Sequence, residues 1–158
     1  MTAFALAPDD PRRDDVRALL TRHLTLMHAQ SAPEDVHALD VDALTAPHIT
    51  FVGARDEESG TLLGVGALAE IEPGHGEIKS MHTAEAARRR GVAGSLLAHL
   101  VDLAVDRGYA RISLETGTEP GFAAARALYA RAGFVPCPPF GAYAPSEAST
   151  FRTLALAR

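Results

Sequence analysis

Tryptophan is absent from this 158-residue chain, and cysteine and lysine occur once each. Cys137 alone can close no internal disulfide, which fits a reducing cytoplasm and leaves stability to the core. Lys79 is the single lysine among 15 basic residues, against 20 acidic ones, for a formal charge of −5. No basic surplus exists to follow a phosphate backbone, so nucleic acid is not an expected partner. Long hydrophobic runs are lacking too, and none approaches the roughly 18–20 residues of a membrane span. Residues 1–7 carry no basic lead and run into Asp9 and Asp10, unlike a signal peptide. These absences describe a soluble, cytoplasmic protein with no membrane contact. No repeat, low-complexity tract or linker divides the chain, and its length suits one domain, residues 1–158. Its seven histidines form no HExxH-type pair, and no metal is implied.

What is present is a clear change of period along the chain. Residues 3–7 read as a short strand. Asp10 can cap a following helix with Pro11 at its first position, where a missing N–H costs nothing. Val16, Leu19, Leu20, Leu24 and Met27 recur at three- and four-residue steps and make one apolar stripe. Ser31, Ala32 and Pro33 break that helix, and residues 34–44 read as a second, shorter one. From Ile49 onward, strands over 49–52, 61–71 and 77–83 alternate with turn residues at 56–60 and 73–76, as in an antiparallel meander. A long helix follows, with Val92, Leu96, Leu100 and Leu103 on one face and Arg107 and Gly108 closing it. Ile112 and Leu114 belong to a strand, and Pro120 opens a helix through Tyr129 to about residue 131, ended by Gly133. Phe134 and Val135 make a short strand, and a proline-rich loop over 136–147 leads to a last strand over 150–156. The order is that of a mixed α/β protein.

The segment from Met81 to Leu97 carries the chemistry. A strand ends, a short loop with Arg88, Arg89, Arg90 and Gly91 follows, and an apolar helix begins. A helix N-terminus offers unpaired N–H groups and about half a positive charge, a natural anion site. Gly91, Ala93 and Gly94 are small enough to let a phosphate approach the backbone. A solvated arginine run beside a small-residue helix start is the plainer alternative. Two other phosphate motifs fail: GxxxxGK[ST] is absent, and Gly64 and Gly66 lie inside a strand rather than at a strand-to-helix turn.

Arg88-Arg89-Arg90-Gly91-Val92-Ala93 resembles the [QR]-x-x-G-x-[GA] acyl-CoA signature of the GNAT N-acetyltransferase superfamily. Downstream, residues 127–134 (Ala-Leu-Tyr-Ala-Arg-Ala-Gly-Phe) resemble the A-x-x-L-Y-x-x-x-G-F element of the same family. The resemblance implies a mixed, mostly antiparallel sheet of about 6–7 strands flanked by about 4 helices. It implies acetyl-CoA as co-substrate, with the backbone from Arg88 to Gly94, and Ser95 beside it, at the pyrophosphate. Met81, His82 and Thr83 would pair with the pantetheine amides as an added strand does. The function implied is acetyl transfer to a primary amine of a small molecule or peptide by direct attack in a ternary complex. A non-catalytic acyl-CoA-binding domain is the alternative.

Transfer needs a neutral amine, oxyanion stabilisation and a proton for the departing thiolate. By resemblance, Tyr129 is the candidate acid, Glu77 the candidate base and the Met81 N–H the oxyanion donor. Glu70, Glu72, Glu115 and His82 are reserves for the base. Alternation puts Met81 and His82 on opposite sheet faces. His23, His28 and Gln30 of the first helix, and the loop over 137–147, are candidates to line the acceptor site. Two positions depart from the family pattern: Phe122 stands where an Asn is common, and Glu85 where a Pro is usual. Cys137 reads as an idle thiol, with no activating group beside it in sequence. Many relatives self-associate through sheet edges, which allows a homodimer.

Overall fold

The computed structural model describes residues 3–30, 41–88, 90–118 and 120–156, and the side chains of 23–30 lie outside that description. Seven strands form one sheet: β1 (Phe4–Pro8), β2 (Ile49–Asp56), β3 (Leu62–Glu72), β4 (His75–Thr83), β5 (Arg111–Gly117), β6 (Val135–Pro136) and β7 (Ser149–Ala155). Their spatial order is β1-β2-β3-β4-β5-β7-β6. Every neighbouring pair is antiparallel except β4–β5, which is parallel. Parallel neighbours need a long crossover, and α2 (Val92–Asp106) supplies it. With α1 (Asp14–Gln30) and α3 (Ala123–Arg131), three α-helices stand among the described residues against the four or so expected. None of the described helices is long and apolar enough to cross a membrane.

Several boundaries differ from the sequence reading, each for a local reason. α1 begins at Asp14 because Asp10 caps a separate turn, its carboxylate accepting from Arg12 N–H and its carbonyl from Arg13 N–H. Of the helix expected over 34–44, residues 34–40 lie outside the described residues, and Ala43–Thr45 is a 3-10 turn. Pro120–Phe122 is also a 3-10 turn, so α3 starts at Ala123. β6 comprises Val135 and Pro136, because the Phe134 N–H is spent on closing α3.

β3 is buried without a break from Leu62 to Ala69, because helices cover both faces of the sheet. On one face Leu68, Ile78, Ile112 and Leu114 meet Val92, Leu96, Leu100 and Ala104 of α2. On the other, Phe51, Leu62, Val65 and Ala67 meet Val16, Leu19 and Leu20 of α1. Each such Leu, Ile or Val contributes about 1.5–3 kcal/mol relative to exposure. Gly64 serves this packing: a Cβ there would lie 2.9 Å from Val92 Cγ1 and 3.1 Å from both Leu96 Cδ1 and the His82 carbonyl. The start of α2 therefore rests directly on the β3 backbone.

The sheet opens at its parallel seam. Pairing of β4 with β5 runs from His75–Arg111 to Ile78–Leu114 and stops there. Residues 79–83 of β4 and 115–117 of β5 continue without pairing to each other. A bulge begins at the same point, since Val65 pairs with His82 but Ala67 pairs with Lys79. Ser80 sits in it at φ 57°, the only non-glycine described at positive φ. A bulge bends its strand and sharpens the twist, so β4 turns away from β5.

Gly64→Ala should overpack the seat of α2 and destabilise the protein by about 1–3 kcal/mol. Thermal denaturation checks this, with a fall in Tm of roughly 2–4 °C for each kcal/mol.

Candidate active site

Two groups of residues flank the opening, one on each face. On the α2 face the helix begins at Gly91, whose φ of 80° lets the chain turn into it with no side-chain cap. The first helical bond runs from Ser95 N–H to the Gly91 carbonyl. The N–H groups of Val92, Ala93 and Gly94 thus have no intrahelical acceptor. No carboxylate stands in this first turn. A Cβ at Gly94 would meet only Leu128 Cδ1, at 3.9 Å, and one at Gly91 nothing within 4 Å. The donors and the open approach fit a phosphate-bearing ligand such as the expected acetyl-CoA.

The two described arginines before this turn take different courses. Arg88 is exposed, and Arg89 lies outside the described residues. The Arg90 side chain points back into the fold: it lies 3.6 Å from Asp56 and its guanidinium sits over the Phe4 ring at 5.9 Å. Its contribution to an anion site is therefore limited to the backbone.

Tyr129 belongs to the same face and is 6% exposed in the main core. The end of α3 fixes it. Gly133, at φ 99°, donates to the Ala130 carbonyl, and Phe134 N–H reaches back to the Tyr129 carbonyl. This is a Schellman closure, and its accompanying apolar contact is the edge-to-face pair of Tyr129 and Phe134, 6.0 Å apart. The L-Y-x-x-x-G-F spacing thus has a structural cause. Among the described residues no group hydrogen-bonds the Tyr129 hydroxyl. Burial, with the nearby Glu115 charge, pushes its pKa up to about 12, so it stays a proton donor at neutral pH. At its other end α3 is tied to β5, with Phe122 packed over Gly117 and Arg126 donating to the Gly117 carbonyl at 2.7 Å.

On the opposite face stands Glu77. The sequence reading starts a strand there, but β4 begins at His75 and Glu77 is buried at 5% exposure. It pairs across with Ser113, one step before the seam opens. Lys79 Nζ donates to both of its carboxylate oxygens at 3.1 Å, and the Tyr143 hydroxyl donates to Oε2 at 2.6 Å. Tyr143 comes from the proline-rich loop, where Phe140 and Tyr143 pack on each other and on Phe151. Neither Lys79 nor Tyr143 is distinguished by any motif. Only the period-2 spacing of 77 and 79 hints at one of them.

Beside Glu77, His75 Nε2 lies 2.7 Å from Ser113 Oγ, which lies 2.9 Å from Thr153 Oγ1. Thr153 donates to the Ile112 carbonyl, so Ser113 donates to Thr153 and His75 donates to Ser113. Arg111 donates to Nδ1 at 3.4 Å, so the imidazole is fixed as the neutral Nε2–H form. Burial and the nearby Arg111 lower its pKa, in agreement. Glu115, a reserve base, is half-buried, accepts from Ser149 at 2.6 Å and lies near both Tyr129 and Tyr143. Glu70 and Glu72 are exposed at the far end of β3.

The bulge decides where Met81 and His82 go. Unbroken alternation would keep Met81 with Glu77 and Lys79. Instead Met81 Sδ stands over Gly66 beside Leu100, on the α2 face. His82 pairs with Val65, whose side chain faces α1. Thr83 pairs with Gly64 just before the turn into α2. The side chains of His23, His28 and Gln30 lie outside the described residues. Cys137 is half-buried, and burial raises its pKa, so it remains a thiol.

Comparison with known proteins agrees with this arrangement. Residues 14–134 match the acetyltransferase (GNAT) family. The chain is 44% identical over 153 residues to the uncharacterized N-acetyltransferase YedL of Escherichia coli, covering 97% of this chain and 95% of that one. An acyl-CoA N-acyltransferase candidate from Klebsiella pneumoniae superposes with a TM-score of 0.83 at 26% identity, with 98% of each chain covered. A Bacillus subtilis acetyltransferase solved in complex with CoA has the same fold, with a TM-score of 0.72 at 17% identity, covering 98% of this chain and 100% of that one.

The raised pKa of Tyr129 makes a prediction for alkaline solution. A folded-state pKa above the ordinary 10 means that stability is lost as pH rises from about 10 through about 12. In urea denaturation, Tyr129→Phe should lessen this alkaline loss by about 2–3 kcal/mol.

Proposed function

The chain belongs to the GNAT acetyltransferase family and is an N-acetyltransferase, and from that premise we propose that it moves an acetyl group from acetyl-CoA to a primary amine of a small molecule or peptide. Transfer takes place by direct attack in a ternary complex. The observation that carries this reading is the opening beyond Ile78–Leu114, with anion-binding N–H groups and Tyr129 on one face and Glu77 on the other. The relative solved with CoA supports the choice of donor. Membership of an acetyltransferase family favours this reading over a non-catalytic acyl-CoA-binding domain.

In this reading the backbone from about Arg88 to Gly94 cradles the pyrophosphate, with the N–H groups of Val92, Ala93 and Gly94 donating to it and Ser95 beside them. The unpaired edge of β4 at Met81, His82 and Thr83 takes the pantetheine amides as a neighbouring strand would. The bound thioester supplies an activated carbonyl with a thiolate as leaving group. The acceptor enters from the α1 face, between α1 and the loop over 137–147, where the notional lining of His23, His28 and Gln30 would stand. The neutral amine attacks the thioester carbonyl, and Glu77, directly or through one water, accepts the proton that the nitrogen sheds as the C–N bond forms. The Met81 N–H donates to the carbonyl oxygen as negative charge builds on it. As the C–S bond breaks, Tyr129 gives its proton to the sulfur, the amide product is left neutral, and the proton held by Glu77 is returned to Tyr129 through solvent.

Tyr129→Phe keeps the ring and its contact with Phe134 while removing the proton. With acetyl-CoA and a panel of primary amines, thiol release should show kcat lowered by about 10²-fold and the KM for acetyl-CoA little changed. An unchanged kcat would remove Tyr129 from the acid role.

A further inference from the structure

Resting on the reading of Glu77 as the base, we propose that Lys79 and Tyr143 are positioning residues that hold Glu77 by Oε2 and present Oε1 to the acceptor. The two carboxylate oxygens of Glu77 are unequally engaged. Oε2 accepts two hydrogen bonds, at 2.6 Å from Tyr143 and 3.1 Å from Lys79. Oε1 accepts one, at 3.1 Å from Lys79. A carboxylate oxygen has two lone-pair sites, so Oε2 is full and Oε1 keeps one open. The ammonium has three N–H donors, and the third goes to the Tyr143 oxygen at 3.3 Å. The three side chains close a ring in which every Lys79 proton is used, and the open lone pair is the only vacancy on the carboxylate.

This ring also ties the acceptor wall to the base. Tyr143 is 66 residues from Glu77 in sequence and lies in the loop that bounds the α1-face entrance. Its ring is 5.5 Å from Phe151 and 5.3 Å from Phe140, so the loop is packed down before the hydroxyl makes its bond. Other charged or titratable groups near Glu77 are His75 on β4, with Glu72 across from it on β3, and Arg111 and Glu115 on β5. Of the described charged side chains of α1, Asp15 pairs with Arg55 and Arg22 with Glu85, and Asp14 and Arg17 are exposed. His75 is neutral and Glu115 is bonded to Ser149, so Lys79 supplies the positive charge in contact with Glu77. Tyr143 stays protonated, since burial and Glu77 both raise its pKa. It remains a donor across the working range.

The test uses the full-length protein with 13C-labelled glutamate, the Glu77 carboxyl resonance being assigned by its loss in Glu77→Gln. Tyr143→Phe retains the aromatic packing and removes one charge-assisted bond. At neutral pH the Glu77 carboxyl 13C shift should move in Tyr143→Phe and further in Lys79→Met. Thiol release from acetyl-CoA with the primary amine turned over fastest in the panel should fall about tenfold in kcat for Tyr143→Phe, at constant KM for acetyl-CoA. A Glu77 resonance unmoved in both variants would overturn the positioning role, whatever the kinetics. A moved resonance in both variants, together with full turnover in Glu77→Gln, would instead remove Glu77 from the base role and leave the ring as a structural clasp.

Discussion

The end of hydrogen bonding between β4 and β5 at Ile78–Leu114 is the constraint on which the rest depends. Beyond that point the backbone groups on the facing edges of β4 and β5 have no sheet partner across the gap and must find another, in water or in a ligand. The bulge at Ser80 makes the parting persistent, because one extra residue in β4 cannot be removed without moving every side chain after it. The opening is therefore built into register, and no loop movement is needed to create it. α2 packs on one face of the sheet, and on the other α1 packs against β2 and β3 while the loop aromatics Phe140 and Tyr143 pack on β7.

Separation of the two faces gives the site its division of labour. Helix N–H donors and a neutral, high-pKa phenol occupy the α2 face. A buried carboxylate, its lysine and a loop tyrosine occupy the other. A proton leaving the nucleophile and one reaching the leaving group can then use different residues, which spares either from serving twice. Burial disfavours charge in both groups. It holds Tyr129 neutral where a donor is wanted, while Lys79 compensates the charge of Glu77 where an acceptor is wanted.

Much of this was legible in the sequence, for reasons that are now physical. Gly133 and Phe134 are read easily because a helix end needs a left-handed residue and a following apolar one, and their spacing from Tyr129 is the geometry of that closure. The small residues at 91, 93 and 94 are read because backbone must approach a ligand. The bulge was illegible, since Ser80 carries no mark of its left-handed conformation, and so the face taken by Met81 could not be deduced by counting alternate residues. The inward turn of Arg90 was illegible because its partners, Asp56 and Phe4, are remote in sequence. Tyr143 was hidden for the same reason: a loop residue gains its role from the strand it happens to cross, and periodicity says nothing of that.

The account stands or falls on whether the opening and the α2 N-terminus bind the donor. The most direct measurement is Tm with and without acetyl-CoA, using ATP and NADH as controls for general phosphate affinity. At about 100 times Kd, a ligand specific for the folded state adds roughly 2.7 kcal/mol, which for a chain of this length is a rise of about 5–10 °C. A rise with acetyl-CoA and little change with the other two is the predicted result. No shift at millimolar acetyl-CoA, or an equal shift with all three, would contradict the account.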